Sequence, residues 1–124
     1  MSRISRIFMA AWLGLASMLT ASVASAADVT FQMQNSHPNA VEVELYSQNR
    51  DHVWPGSGEI YLLDDGETKT MALSCNEGEQ ICYGAWISGD KQSYWGTGPD
   101  NAETCENCCY TCTGGNTEVI ELTE

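Results

Sequence analysis

The chain has 124 residues, a formal net charge of −12 and six cysteines. This length supports one domain, near the lower end of what a single core holds together unaided. The acidity argues against a nucleic-acid or anionic-lipid partner, because such a surface repels phosphate.

Residues 1–26 read as a secretory signal peptide. Arg3 and Arg6 form a short basic start, Ile7 to Leu19 is apolar, and Ala24-Ser25-Ala26 has the A-x-A form of a cleavage site. The apolar run is shorter than the roughly 20 residues of a membrane span. There is no paired arginine for twin-arginine export and no cysteine near the cleavage site to carry a lipid. The expected mature chain, residues 27–124, is a single exported domain, periplasmic or secreted. It keeps three basic residues, Arg50, Lys69 and Lys91, against all 17 acids, a net charge near −14.

From Ala27 onward, apolar residues recur mostly with a period of two. Val29, Phe31 and Met33 alternate with polar neighbours, and Val41, Val43 and Leu45 alternate with Glu42 and Glu44. Both segments predict half-buried strands. Asn35 to Asn39 is a loop, with Pro38 barring a continuous strand. Ser47 to Gly58 is a longer polar connection containing Trp54-Pro55.

Ile60 and Leu62 predict a short strand, and Asp64-Asp65-Gly66 a tight turn. Thr68 to Ser74 follows, with Met71 and Leu73 inward. Ile81 to Ile87 carries bulky or apolar groups on both faces and is therefore placed centrally. Ser93-Tyr94-Trp95 and Thr117 to Leu122 complete about seven strands. Together they predict an all-β fold, a small, mostly antiparallel β-sandwich or barrel, stapled by disulfides.

Cys105, Cys108, Cys109 and Cys112 form a C-x-x-C-C-x-x-C block, and Cys75 and Cys82 bracket a polar turn upstream. In an exported chain six cysteines point to disulfides, with 15 possible pairings. A symmetric hairpin around Gly78 would place Cys75 opposite Cys82; the competing arrangement ties both to the block. A bridge between adjacent Cys108 and Cys109 is disfavoured by ring strain. A Cys-rich turn or short helical segment is expected over 105–112, and a helix would gather all four sulfurs on one face. That face would suit zinc binding, and a C-x-x-C at a helix start would suit thiol–disulfide exchange. Metal binding thus stays open as an alternative function, together with redox.

Trp54, Tyr94 and Trp95 are the ligand-binding candidates, since aromatics beside Gly or Pro in polar loops serve as platforms for sugars or cations. Asp100, Asn101, Glu103 and Glu106 offer oxygen ligands without the regular spacing of a calcium loop. His37 and His52 with Met33 form a weak copper candidate. Gly56-Ser57-Gly58 lacks the nucleophile-elbow pattern, and Asp51-His52 adjacency alone makes no dyad. No catalytic residue and no cofactor are expected. The sequence therefore predicts a non-enzymatic binding or envelope-associated interaction module whose partner is a protein, a carbohydrate or a cationic ligand.

Overall fold

The structure, a computed structural model, describes residues 25–123. The expected signal peptide thus lies, apart from its last two residues, outside the described residues. The fold is all-β. Nine strands run in order: β1 (Ala26–Asn35), β2 (Val41–Ser47), β3 (Val53–Trp54), β4 (Tyr61–Leu63), β5 (Thr68–Asn76), β6 (Gln80–Ile87), β7 (Asp90–Gly96), β8 (Cys109–Thr111) and β9 (Asn116–Leu122). A single 3-10 turn, Pro99–Asn101, lies between β7 and β8.

The strands form two sheets. The first has the order β5-β1-β9; the second has the order β3-β2-β6-β7, with β4 also on β2 and β8 also on β6. Each edge of the second sheet is therefore shared by two strands. All pairings are antiparallel except β1 with β9, which is parallel and shifts register between Thr30 and Gln32. As alternation requires, Val29, Phe31 and Met33 of β1 and Met71, Leu73 and Cys75 of β5 face inward. They meet Val41, Val43 and Leu45 of β2 and Ile81 and Ala85 of β6 across the core. The placement of β6 at the centre holds: it has β2 on one side and both β7 and β8 on the other.

The strand expected from Ile60 and Leu62 forms as β4, and its pairing decides which side chains turn inward. Leu63 is fully buried and Leu62 is 43% exposed. Tyr61 and Leu63 stand directly opposite Val43 and Val41. Directly opposed residues share a sheet face, so the inward valines bring Tyr61 and Leu63 inward with them.

At one end of the sandwich the β1–β2 connection is held by Asn35, which is fully buried. Its Nδ2 donates toward the carbonyl oxygens of Asn39, Leu63 and Asp64 at 2.8, 3.1 and 3.2 Å, and its Oδ1 accepts the His37 N–H at 2.8 Å. One side chain thus satisfies backbone groups of two loops, among them the buried Leu63 carbonyl.

At the other end the chain crosses from β5 in the first sheet to β6 in the second through Asn76 to Glu79. Cys75 and Cys82 are for that reason not opposed across a hairpin. Cys75 points into the core from one sheet, whereas Cys82 lies on the outer face of the other. The pairs are Cys75–Cys112, Cys82–Cys109 and Cys105–Cys108. Adjacent Cys108 and Cys109 thus have different partners. Nor does the block form a helical face: a turn through residues 105–108 leads into β8, whose alternation sends Tyr110 and Cys112 inward and Cys109 outward.

Candidate functional site

The outer face of the second sheet is the most elaborated surface of the molecule. Period-two alternation sends Glu42, Glu44 and Tyr46 outward from β2 and Cys82, Gly84 and Trp86 outward from β6. Part of this face is then covered. The chain after β7 folds back over β6, with the Thr97 N–H bonding the Tyr83 carbonyl at 2.9 Å. The Gly98 carbonyl comes so close above Gly84 that a Cβ there would collide with it, so only glycine fits. The Tyr46 hydroxyl lies 3.1 Å from Glu44 Oε1 and 3.3 Å from the Gly98 carbonyl oxygen, and accepts the Asp100 N–H at 3.0 Å. It fastens the loop to the sheet. Burial, with the Glu44 carboxylate beside it, holds the Tyr46 phenol above its ordinary range.

Where this loop meets the β2–β3 connection, an open cleft of about 480 Å³ forms, lined by Glu44, Tyr46, Asp51, His52, Asp100 and Asn101 among others. Burial is the main cause that pushes the Glu44 carboxyl above the usual carboxylate range. Asp100 and Glu42 push the same way, against the Tyr46 hydroxyl and Lys91. The cations among the described residues are engaged locally. Arg50 grips Glu79 and Lys69 stands 3.8 Å from Glu67. The Lys91 ammonium lies 5.8 Å from the centre of the Trp86 ring. The cleft is therefore a concave surface on which Glu44, Asp51 and Asp100 outnumber the lining cation Arg50, whose guanidinium is paired with Glu79.

The three aromatic candidates are not brought together. Tyr94 and Trp95 lie on opposite faces of the edge strand β7; with His37, Ile87, Ser93 and Thr123 they border a shallow groove of about 390 Å³. Tyr94 is 45% exposed and its ring packs over Gly98. Trp54 lies at the opposite edge of the sheet and is buried, with the His52 ring edge-on at 4.5 Å and the Arg50 guanidinium 5.7 Å from its centre.

The two tryptophans instead share a structural task. Trp54 Nε1 donates to the Ser74 carbonyl at 3.1 Å, and Trp95 Nε1 to the Thr123 carbonyl at 2.8 Å. Each bond runs from an edge of the second sheet to an edge of the first, so the pair locks both sides of the sandwich. Trp54→Phe and Trp95→Phe keep an aromatic group but remove the donor and trim the indole to a phenyl. Each is expected to cost at least about 1 kcal/mol in urea unfolding, more at buried Trp54, and an unchanged midpoint in both would remove the lock.

The other sequence candidates separate as well. His52 is committed to packing against Trp54, and no hydrogen bond joins it to Asp51 or Ser57 among the described residues. His37 stacks edge-on against Trp95 at 5.7 Å between ring centres. The six sulfurs are consumed in disulfides, and among the described residues no cluster of three or more His, Cys, Asp or Glu side chains is placed to hold a metal ion. Sequence reasoning missed Glu44 and Tyr46. Their signal was faint: two outward positions of a strand, completed by a loop more than fifty residues away.

Fold and surface define a small, disulfide-stabilised β-sandwich with an acidic cleft on one sheet. No helix among the described residues is long and apolar enough to cross a membrane. No protein-family model matches the chain, and no curated protein or solved structure matches it significantly.

Proposed function

We propose that this protein is an exported, non-catalytic binding module that takes a cationic ligand in the cleft bordered by Glu44, Tyr46, Asp51 and Asp100. The observation that carries this reading is the Glu44 carboxylate, held partly desolvated in a concave surface beside Asp100 with its compensation incomplete. A desolvated carboxylate is uncomfortable when charged, and an incoming ammonium or guanidinium group relieves it. Export rests on the expected signal peptide and on three disulfides in a chain of this size, which an oxidising compartment preserves. The acidic surface, near −14 in the mature chain, steers cations toward the molecule, and the cleft supplies the place where they dock.

A short lysine-rich peptide is a suitable probe. Glu44→Gln with Asp100→Asn is expected to weaken its binding at least about tenfold at 0.15 M salt, since two charge contacts are lost. Asp64→Asn with Asp65→Asn, an equal change in net charge at a distant turn, is expected to have little effect. If the two double variants weaken binding equally, the attraction belongs to the whole surface and the cleft is not a site. Binding is also expected to strengthen as pH rises through a range above that of an ordinary carboxylate, because Glu44 gains its charge late.

A further inference from the structure

We propose that Cys105–Cys108 is an exchange-active disulfide, opened by an external dithiol while the other two bridges stay closed. The three bridges sit in unlike surroundings. Cys75–Cys112 lies in the core, with Cys112 fully buried. Its partners are held by backbone bonds from the Cys112 N–H to the Glu79 carbonyl and from the Gly78 N–H to the Cys112 carbonyl, both 2.8 Å. Cys82–Cys109 joins directly opposed residues of β6 and β8, so strand pairing keeps its sulfurs adjacent whether or not they are bonded.

Cys105–Cys108 has neither support. It spans three residues of sequence within a turn, and Cys105 is half-exposed with exposed Thr104 and Glu106 on either side. Thiol–disulfide exchange needs access to one sulfur, which half-exposed Cys105 offers; Cys109 is half-exposed too, but there the paired strands hold the displaced sulfur in place to close the bridge again. The geometry also limits the consequences of opening. Cys108 remains buried, and its carbonyl accepts the Tyr83 N–H at 3.1 Å, so the turn stays anchored to β6. A freed Cys108 thiolate attacking its neighbour Cys109 would have to close the strained ring of adjacent cysteines, so the opening does not spread to Cys82–Cys109.

The step balances as follows. A thiolate of the dithiol attacks Cys105 Sγ, a mixed disulfide forms, and the electron pair of the broken bond leaves on Cys108, which takes a proton. The second thiolate of the same dithiol then attacks the mixed disulfide, closes the reagent's own disulfide and releases Cys105 as a thiolate that is protonated in turn. The dithiol is oxidised by two electrons and the protein gains two thiols.

The test is a time course of the native full mature chain in dithiothreitol, quenched by alkylation and mapped by peptide mass. The expected result is a species alkylated at Cys105 and Cys108 alone, forming at least about ten times faster than any other. Cys105→Ser with Cys108→Ser should abolish this fast phase. Should another pair open first, or all three within the same period, the proposal fails; so it does if the fast phase survives in the double variant. The wild-type map decides the matter even where the variant folds poorly.

Discussion

Replacing Cys75 and Cys112 together by alanine is expected to lower the stability of the oxidised protein by about 4 kcal/mol in urea unfolding. Replacing Cys105 and Cys108 by serine should lower it by only about 2 kcal/mol. Chain entropy accounts for about 2 kcal/mol for the 4-residue loop, and for about 3 kcal/mol for the loop of roughly 12 residues that Cys75–Cys112 closes while Cys82–Cys109 is intact. The packing difference adds to the gap, since Cys112 is fully buried and Cys75 nearly so, whereas the small turn closed by Cys105–Cys108 reaches solvent. Cys75–Cys112 is also the bridge between sheets. It joins the end of β5 in the first sheet to the residue that follows β8 in the second, beneath the crossover at Asn76 to Glu79. A domain of this size has about 5–15 kcal/mol in total, so the larger loss brings the folded state close to its limit. Equal losses in the two variants would show that the inter-sheet bridge adds nothing beyond a local tether.

The strands that could be read from sequence are those whose burial is one-sided. Val29, Phe31 and Met33 had polar neighbours on every side, and Met71 and Leu73 stood among threonine, alanine and serine, so period two set both existence and phase. The Ile60-Tyr61-Leu62-Leu63 run had four apolar residues in a row and hence no intrinsic phase. Pairing with Val41 and Val43 chose it. Strands β3 and β8 span two and three residues, too few to show a period at all, and β8 is disguised by its cysteines. The parallel pairing of β1 with β9 joins segments more than eighty residues apart. The disulfide pattern was hidden for a related reason: a polar turn around Gly78 looks the same in sequence whether it closes a hairpin or carries the chain between sheets. The acidic cleft draws Glu44 from a strand, Asp51 from one loop and Asp100 from another. No local spacing announces such a site, whereas the aromatic candidates drew notice through composition, and two of them turned out to hold the sheets together.

Arg50→Ala is expected to destabilise the protein at neutral pH and progressively less as pH falls toward 2. Arg50 Nε and Nη2 reach the two Glu79 carboxylate oxygens at 2.6 and 3.0 Å, a bidentate pair. The Glu79 side chain is only 1% exposed, and its Oε1 also accepts the Asn76 N–H at 2.9 Å. The hydrogen bonds from Arg50 are the main reason that the Glu79 carboxyl is held down at about 2; burial opposes them, and the Asn76 N–H and Ser47 hydroxyl assist. Because the folded value lies below the unfolded one, near 4.5, the stabilisation is fully present above about pH 4.5 and is lost as pH falls through 2. The Asn76 N–H and the Ser47 hydroxyl carry part of this shift and solvent screens the 39% exposed Arg50 side chain, so the loss falls short of the roughly 3 kcal/mol that the full shift represents. Removing Arg50 leaves the carboxylate buried with backbone and hydroxyl donors alone. It also strips the guanidinium from the face of Trp54, a smaller loss that does not depend on pH. Unfolding curves of the wild type and Arg50→Ala, taken between pH 7 and pH 2, should therefore converge toward the acid end without meeting. A gap that stays constant over that range would mean that Arg50 acts through packing on Trp54, and that Glu79 holds its charge in this fold without Arg50.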